Sequence, residues 1–340
     1  MRRSVLVLLS IALLLRPAPA VPCIAAFGYT STVDETDFMA ASVETGAAHL
    51  VPADEFDYVV DDAEYMVAKS GPVFIDLTDM IFRPNLVKAD CSGYERGGGI
   101  QSVQYSNLRG NYQTRLDTFF LINAALFQGT RKVYGLVINT EANNRCVAAW
   151  KIDASALYVK AKVAAVAEYA PIYTAAGYGL RNTPRIGNRG SIVSMGFPVV
   201  GGAIAKFPEN LDLIAYWAYD IFDPGNPAHP ANINAESWTS LNDKLNQALG
   251  EGQKTLVVIK SYCDNADPVE KALGVTCPSR SIRKLGQMAQ NWRDYLLEDP
   301  RNLFVMGFSW TDFGPYGSRN LPVVWPYHSG IQQAVNCRVQ

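Results

Sequence analysis

Residues 133–141 read Val133-Tyr134-Gly135-Leu136-Val137-Ile138-Asn139-Thr140-Glu141, an apolar run that stops abruptly on polar groups. A run this short and this nearly continuous in apolar character fits a strand covered on both faces, as strands of a parallel sheet are. The chain holds further runs of the same kind at Ile24–Tyr29, Ala48–Pro52, Val73–Thr78, Ile172–Ala176, Leu211–Asp220, Thr255–Tyr262 and Leu303–Trp310, making eight in all. Between them, apolar residues recur at three- and four-residue spacing and predict helices over Asp34–Thr45, Tyr58–Lys69, Gln113–Phe127, Ala154–Tyr169, Ser237–Leu249 and Ser281–Glu298. The last is the clearest, with Ser281 placed to cap it and Leu285, Met288, Ala289, Trp292 and Leu296 as its buried stripe.

Strands alternating with helices predict an α/β fold, and eight of them in a chain of 340 residues predict a single (β/α)8 TIM barrel. The rival is an open, doubly wound sheet. It is disfavoured because no glycine-rich turn of the dinucleotide or phosphate-binding kind follows any strand. Gly97-Gly98-Gly99 follows a loop containing Asp and Arg, not a strand.

The ends of the chain carry a different signal. Arg2 and Arg3 precede the apolar run Val5–Leu15 and the small residues Ala18-Pro19-Ala20, the order of a secretory signal peptide. The apolar run is shorter than the roughly 20 residues needed to span a bilayer. Residues 1–20 are therefore expected to be removed, leaving 21–340 as one barrel domain without an integral membrane segment, secreted or periplasmic.

Six cysteines lie at 23, 91, 146, 263, 277 and 337, and an even count in an exported chain favours disulfides over metal ligation. Cys263 with Cys277 is a plausible local staple; Cys23 with Cys337 would tie the termini, leaving Cys91 with Cys146. The histidines His49, His229 and His328 are scattered, so no zinc-type spacing exists and no metal or other cofactor is expected. A formal net charge of −2 leaves no basic field for nucleic acid. The chain is expected to be a monomer.

In a barrel of this kind the active site lies at the C-terminal ends of the strands. Those ends are polar here: Asp76-Leu77-Thr78-Asp79, Asn139-Thr140-Glu141, Tyr216-Trp217-Ala218-Tyr219-Asp220, Ser261-Tyr262-Cys263-Asp264 and Trp310. Carboxylates and aromatics on one rim suit glycoside chemistry, in which one carboxylic acid protonates the leaving oxygen while a second carboxylate attacks or activates water. Glu141 is the candidate general acid, since a carboxyl held partly desolvated at the end of a central strand has a raised pKa. Asp220 and Asp264 are candidates for its catalytic partner, with Asp76 and Asp79 as alternatives. Asp76, Asp79, Asn139, Tyr216, Tyr219, Tyr262 and Trp310 are candidates for sugar binding, the aromatics as flat platforms for C–H faces. The competing role for a strand-end Asp or Asn is to cap a helix or brace a loop, and for Glu141 to pair with Arg145.

These residues resemble a large clan of (β/α)8-barrel glycoside hydrolases that places its acid/base Glu at the end of strand four. Asn139-Thr140-Glu141 is similar to the clan's Asn-Glu pair with one residue interposed. Leu211–Asp220 and Phe308-Ser309-Trp310 are similar to its sixth and eighth strands in place and aromatic content. The resemblance implies a carbohydrate substrate and a glycosidase acting through two carboxylates. The clan's second Glu, the nucleophile ending strand seven, has no counterpart, because that position reads Ser261-Tyr262-Cys263-Asp264. A non-catalytic secreted carbohydrate-binding barrel is therefore the alternative. A metal-dependent hydrolase lacks His ligands at the strand ends, and a Ser-His-Asp enzyme lacks its GxSxG turn.

Overall fold

The structure, a computed structural model, describes residues 23–27, 50–52, 73–87, 102–129, 133–140, 142, 147–179, 199–200, 203–204, 206–218, 221–226, 228–229, 245–260, 287–288, 290–292, 294–295, 298 and 301–308. Its strands are β1 (Cys23–Phe27), β2 (Leu50–Pro52), β3 (Val73–Asp76), β4 (Phe82–Val87), β5 (Ser102–Leu108), β6 (Val133–Asn139), β7 (Tyr173–Gly179), β8 (Val199–Val200), β9 (Ala203–Ile204), β10 (Leu213–Trp217), β11 (Lys254–Lys260) and β12 (Asn302–Phe308). The helices bounded at both ends are α1 (Thr78–Ile81), α2 (Tyr112–Ile122) and α3 (Ala149–Val166), with a 3-10 turn at Ala124–Phe127.

Eight strands form one sheet in the order β1-β12-β11-β10-β7-β6-β3-β2. Every pairing in it is parallel. These eight strands are the eight apolar runs of the sequence, with ends shifted by a few residues. From β2 to β12 the spatial order follows the chain order, and β1 then adds beyond β12. A doubly wound sheet reverses its strand order partway across. This one never reverses and sets its first strand beside its last, which is the cyclic order of a (β/α)8 fold. The β1–β2 pair that would close the ring is not among the described pairings.

The two faces of the sheet differ. Ile75, Leu136, Ile138, Ala176, Ile214, Tyr216 and Val257 alternate along their strands and join one apolar cluster with Leu116 and Phe119 of α2, Ile152 and Val159 of α3, and Trp292. This is the helix-packed face. The residues between them, Phe74, Val137, Ala175, Leu213, Ala215 and Leu256, are buried but stand apart from that cluster, on the inner face. Toward the C-terminal ends, the inner-face Val137 and Ala215 keep 8% exposure while the helix-packed Leu136, Ile138 and Ile214 keep none.

The expected helix at Gln113–Phe127 appears as α2 followed by the 3-10 turn, and that at Ala154–Tyr169 as α3, which begins earlier, at Ala149. Met288 and Trp292 of the final helix are buried, as its stripe predicts. Only residues 245–248 are described as helical in the Ser237–Leu249 segment, and Asp34–Thr45 and Tyr58–Lys69 lie outside the described residues. None of the described helices is long and apolar enough to cross a membrane.

Two devices set the strand ends. At the N-terminal side, Gln253 donates from Nε2 to the carbonyls of Pro208 (2.8 Å) and Leu211 (2.9 Å), while its Oε1 accepts from Gly250 N (2.7 Å). One buried amide thereby ties the entry to β11 to the entry to β10. In β6, Gly135 is required by close approach: a Cβ there would lie 2.7 Å from Phe74 Cε1 and 2.7 Å from the carbonyl oxygen of Tyr173.

Candidate functional site

The end of β3 is built by a turn. Asp76, its last residue, is 6% exposed, and its Oδ1 accepts from Thr78 N (2.9 Å) and from Thr78 Oγ1 (2.5 Å). The carboxylate so braces the entry to α1, the capping role open to a strand-end Asp. Leu77 N continues the ladder to Val137 O (2.8 Å), which holds this turn against β6. Asp79 is half-buried within α1, and its backbone oxygen accepts from Arg109 Nε at 2.7 Å.

The segment after α1 leaves the parallel sheet. It folds into an antiparallel hairpin of β4 and β5, with Phe82 opposite Leu108 at its base. Arg109 locks the base, donating from Nε to Asp79 O and also to Phe82 O (3.0 Å). Lys151, only 6% exposed in the first turn of α3, donates from Nζ to Asn107 Oδ1 at 3.1 Å. The hairpin leaves the sheet from the C-terminal end of β3, the end where the site is expected. A second, shorter hairpin, β8 with β9, follows β7 in the same sense.

The end of β6 is irregular. Val137 pairs with Ala175, but Asn139 pairs with Ala176, so Ile138 is an extra residue on the β6 side. Such bulges bend a strand and recur beside functional sites. Ala142 N then donates to Gly177 O (2.9 Å), three residues past Asn139 where β7 has advanced only one from Ala176. Asn139 is fully buried, and Thr140 is nearly so. On the neighbouring strands, Gly177 pairs with Ala215, two small residues that leave room on the inner face at this level.

At the end of β10 one expectation is corrected. Tyr216, taken from sequence as a sugar platform, is 1% exposed and belongs to the helix-packed face. Its ring packs against Trp292 at 6.4 Å between centroids. The cause is the two-residue period of the strand, which puts Tyr216 on the side of Ile214 and Ala218. Past the strand, Ala218 N donates to Val258 O (2.9 Å), Trp292 Nε1 to Ile221 O (2.8 Å), and Asp223 Oδ1 accepts from Gly225 N and Asn226 N (both 3.1 Å). Asp223 thus shapes a turn. His229 stacks on Phe222 at 4.8 Å and 25° within it, a rim contact that nothing in the residue pattern announces.

Tyr178, near the end of β7, also faces the helix layer, edge-on to Phe207 at 4.9 Å. Burial, and secondarily the charge of Asp153, pushes its phenol well above the usual range.

Glu141, Asp220, Asp264, Tyr219, Tyr262 and Trp310 lie outside the described residues, as do Cys91, Cys146, Cys263, Cys277 and Cys337; of Cys23 only the strand is described. In the chain, Glu141 follows directly on β6, Tyr219 and Asp220 on β10, Tyr262 and Asp264 on β11, and Trp310 on β12. The structure brings together the ends of β3 and β6 through the pairing of Asp76 with Val137. Sequence reasoning missed the hairpin, although Ser102-Val103-Gln104-Tyr105-Ser106 alternates polar and apolar as a half-exposed strand does.

No protein-family profile matches the chain, and no curated protein does. Among solved structures it is similar to endo-glycoceramidase II from Rhodococcus sp., at 11% identity over 89% of this chain and 77% of that one, with a TM-score of 0.49. It is also similar to a GH113 β-1,4-mannanase, at 9% identity over 91% and 99% of the two chains, TM-score 0.45. A third is a glycoside hydrolase family 17 β-1,3-glucanosyltransferase from Rhizomucor miehei, at 11% identity over 88% and 91%, TM-score 0.45. The α/β assignment of this chain rests on its own strand pairings.

Proposed function

We propose that this protein is an exported glycoside hydrolase that cleaves a polysaccharide or oligosaccharide with two carboxyl groups. One observation carries the reading: the sheet is parallel throughout, in cyclic order. The C-terminal ends of the eight strands, after which the carboxylates and aromatics picked out of the sequence follow in the chain, therefore share one end of the sheet. Glu141, which follows the fully buried β6 in the chain, is the general acid; Asp220 or Asp264 is the nucleophile or base. Asp76 is given no catalytic part in this reading, because Thr78 already occupies one of its oxygens twice.

Replacing Glu141 by Gln tests this. Hydrolysis of a glycan panel is expected to fall at least about 100-fold while the melting temperature and sugar binding stay near those of the parent chain. Retention of full activity removes Glu141 from the mechanism.

A second reading, a sugar-binding barrel without catalysis, is favoured by the segment after β11, where Ser261-Tyr262-Cys263-Asp264 holds no Glu. Release of reducing sugar from any member of the panel eliminates it.

A further inference from the structure

We propose that the Thr140 hydroxyl is a ligand-binding group, reserved for a hydroxyl of the sugar bound at the C-terminal end of β6. The inference rests on the glycoside reading above and names one of its binding residues. Among the described residues the buried serines and threonines are Thr78, Thr140, Ser155, Thr174 and Thr255. Four of them have partners: Thr78 Oγ1 on Asp76, Ser155 Oγ on Lys151 O (2.7 Å), Thr174 Oγ1 on Asn210 O (2.8 Å), and Thr255 Oγ1 on Asn302. Thr140 Oγ1, on a residue 5% exposed, has none.

The contrast with Thr78 is instructive. Both threonines lie just beyond the ends of adjacent strands, yet only Thr78 meets a carboxylate. A buried hydroxyl without a partner has given up its hydration for nothing, so folding alone disfavours it, and a Val of nearly the same shape would serve packing better. Groups kept against stability concentrate at functional sites. The surrounding backbone agrees, since the bulge at Ile138 precedes Thr140 and a backbone bond from Ala142 N to Gly177 O follows it, so surplus residues flank it on the β6 side. The group is uncharged and both donates and accepts, which matches an alcohol rather than an ion. Thr140 also directly precedes Glu141 in the chain.

The test uses the full chain and its Thr140→Val and Thr140→Ser variants, with oligosaccharides of glucose, mannose and xylose and their monodeoxy analogues. Melting temperature, KM, kcat and, where turnover is absent, Kd are measured. The proposal expects Thr140→Val to melt no lower than the parent, to lose about tenfold in kcat/KM or Kd, and to be restored by Thr140→Ser. One deoxy analogue should be bound equally by parent and Val variant. Unchanged affinity in Thr140→Val, a lower melting temperature with unchanged affinity, or a loss that Ser does not restore overturns the inference while leaving the glycoside reading intact. Should Thr140→Val fail to fold, the Ser variant and the deoxy series decide by the same criteria. A parent chain that binds and cleaves no sugar of the panel overturns both.

Discussion

Tyr216 shows how one residue's role turns on which face of a strand it occupies. Its ring fills space between β10 and Trp292 with almost no exposure, so it stabilises the sheet–helix layer rather than offering a platform. Tyr216→Ala is expected to cost about 3–5 kcal/mol in denaturant-induced unfolding, the range for large aromatics removed from a core. Sugar affinity of the folded fraction should be unchanged, and a loss of affinity without loss of stability would return Tyr216 to the site. Asp76 makes the same point for a polar side chain, since its visible partner is the turn it braces. Both roles were open in the residue identities, and neither could be chosen there. Alternation sets two faces, but only the position of the helices says which face is which.

At the scale of elements, the eight strands were legible because strands covered on both sides must be apolar almost throughout, a demand that local sequence displays. Two helices were legible for the related reason that one apolar stripe recurs each turn. The β4–β5 hairpin was not, because its base is fixed by long-range polar bonds that no local pattern displays. Arg109 is the principal one, serving two carbonyls that belong to α1 and the first residue of β4. Arg109→Ala is expected to raise amide hydrogen exchange of β4 and β5 by roughly 10- to 100-fold and to leave the parallel sheet unaffected. Equal acceleration across the molecule would show that the arginine supports the fold as a whole. The bulge in β6 was equally invisible, since it depends on β7 as much as on β6.

For the whole molecule, the cyclic order of parallel strands puts a single end of the sheet at the disposal of loops from distant parts of the chain. The covalent frame expected around it is extracytoplasmic. Expressed with export, the mature chain should begin at Val21 and show no free thiol among its six cysteines by mass spectrometry under non-reducing conditions. A retained leader together with six titratable thiols would count against export and disulfide bracing alike.

The amino-acid sequence alone determined the α/β class, the eight strands and which residues close each of them, because burial on two faces and helical amphipathicity are local demands on composition. Only the tertiary structure decided the order of those strands, the side to which Tyr216 turns, the hairpin at the rim and the isolation of the Thr140 hydroxyl. Each of these depends on what a residue meets from elsewhere in the chain, and that is a property of packing.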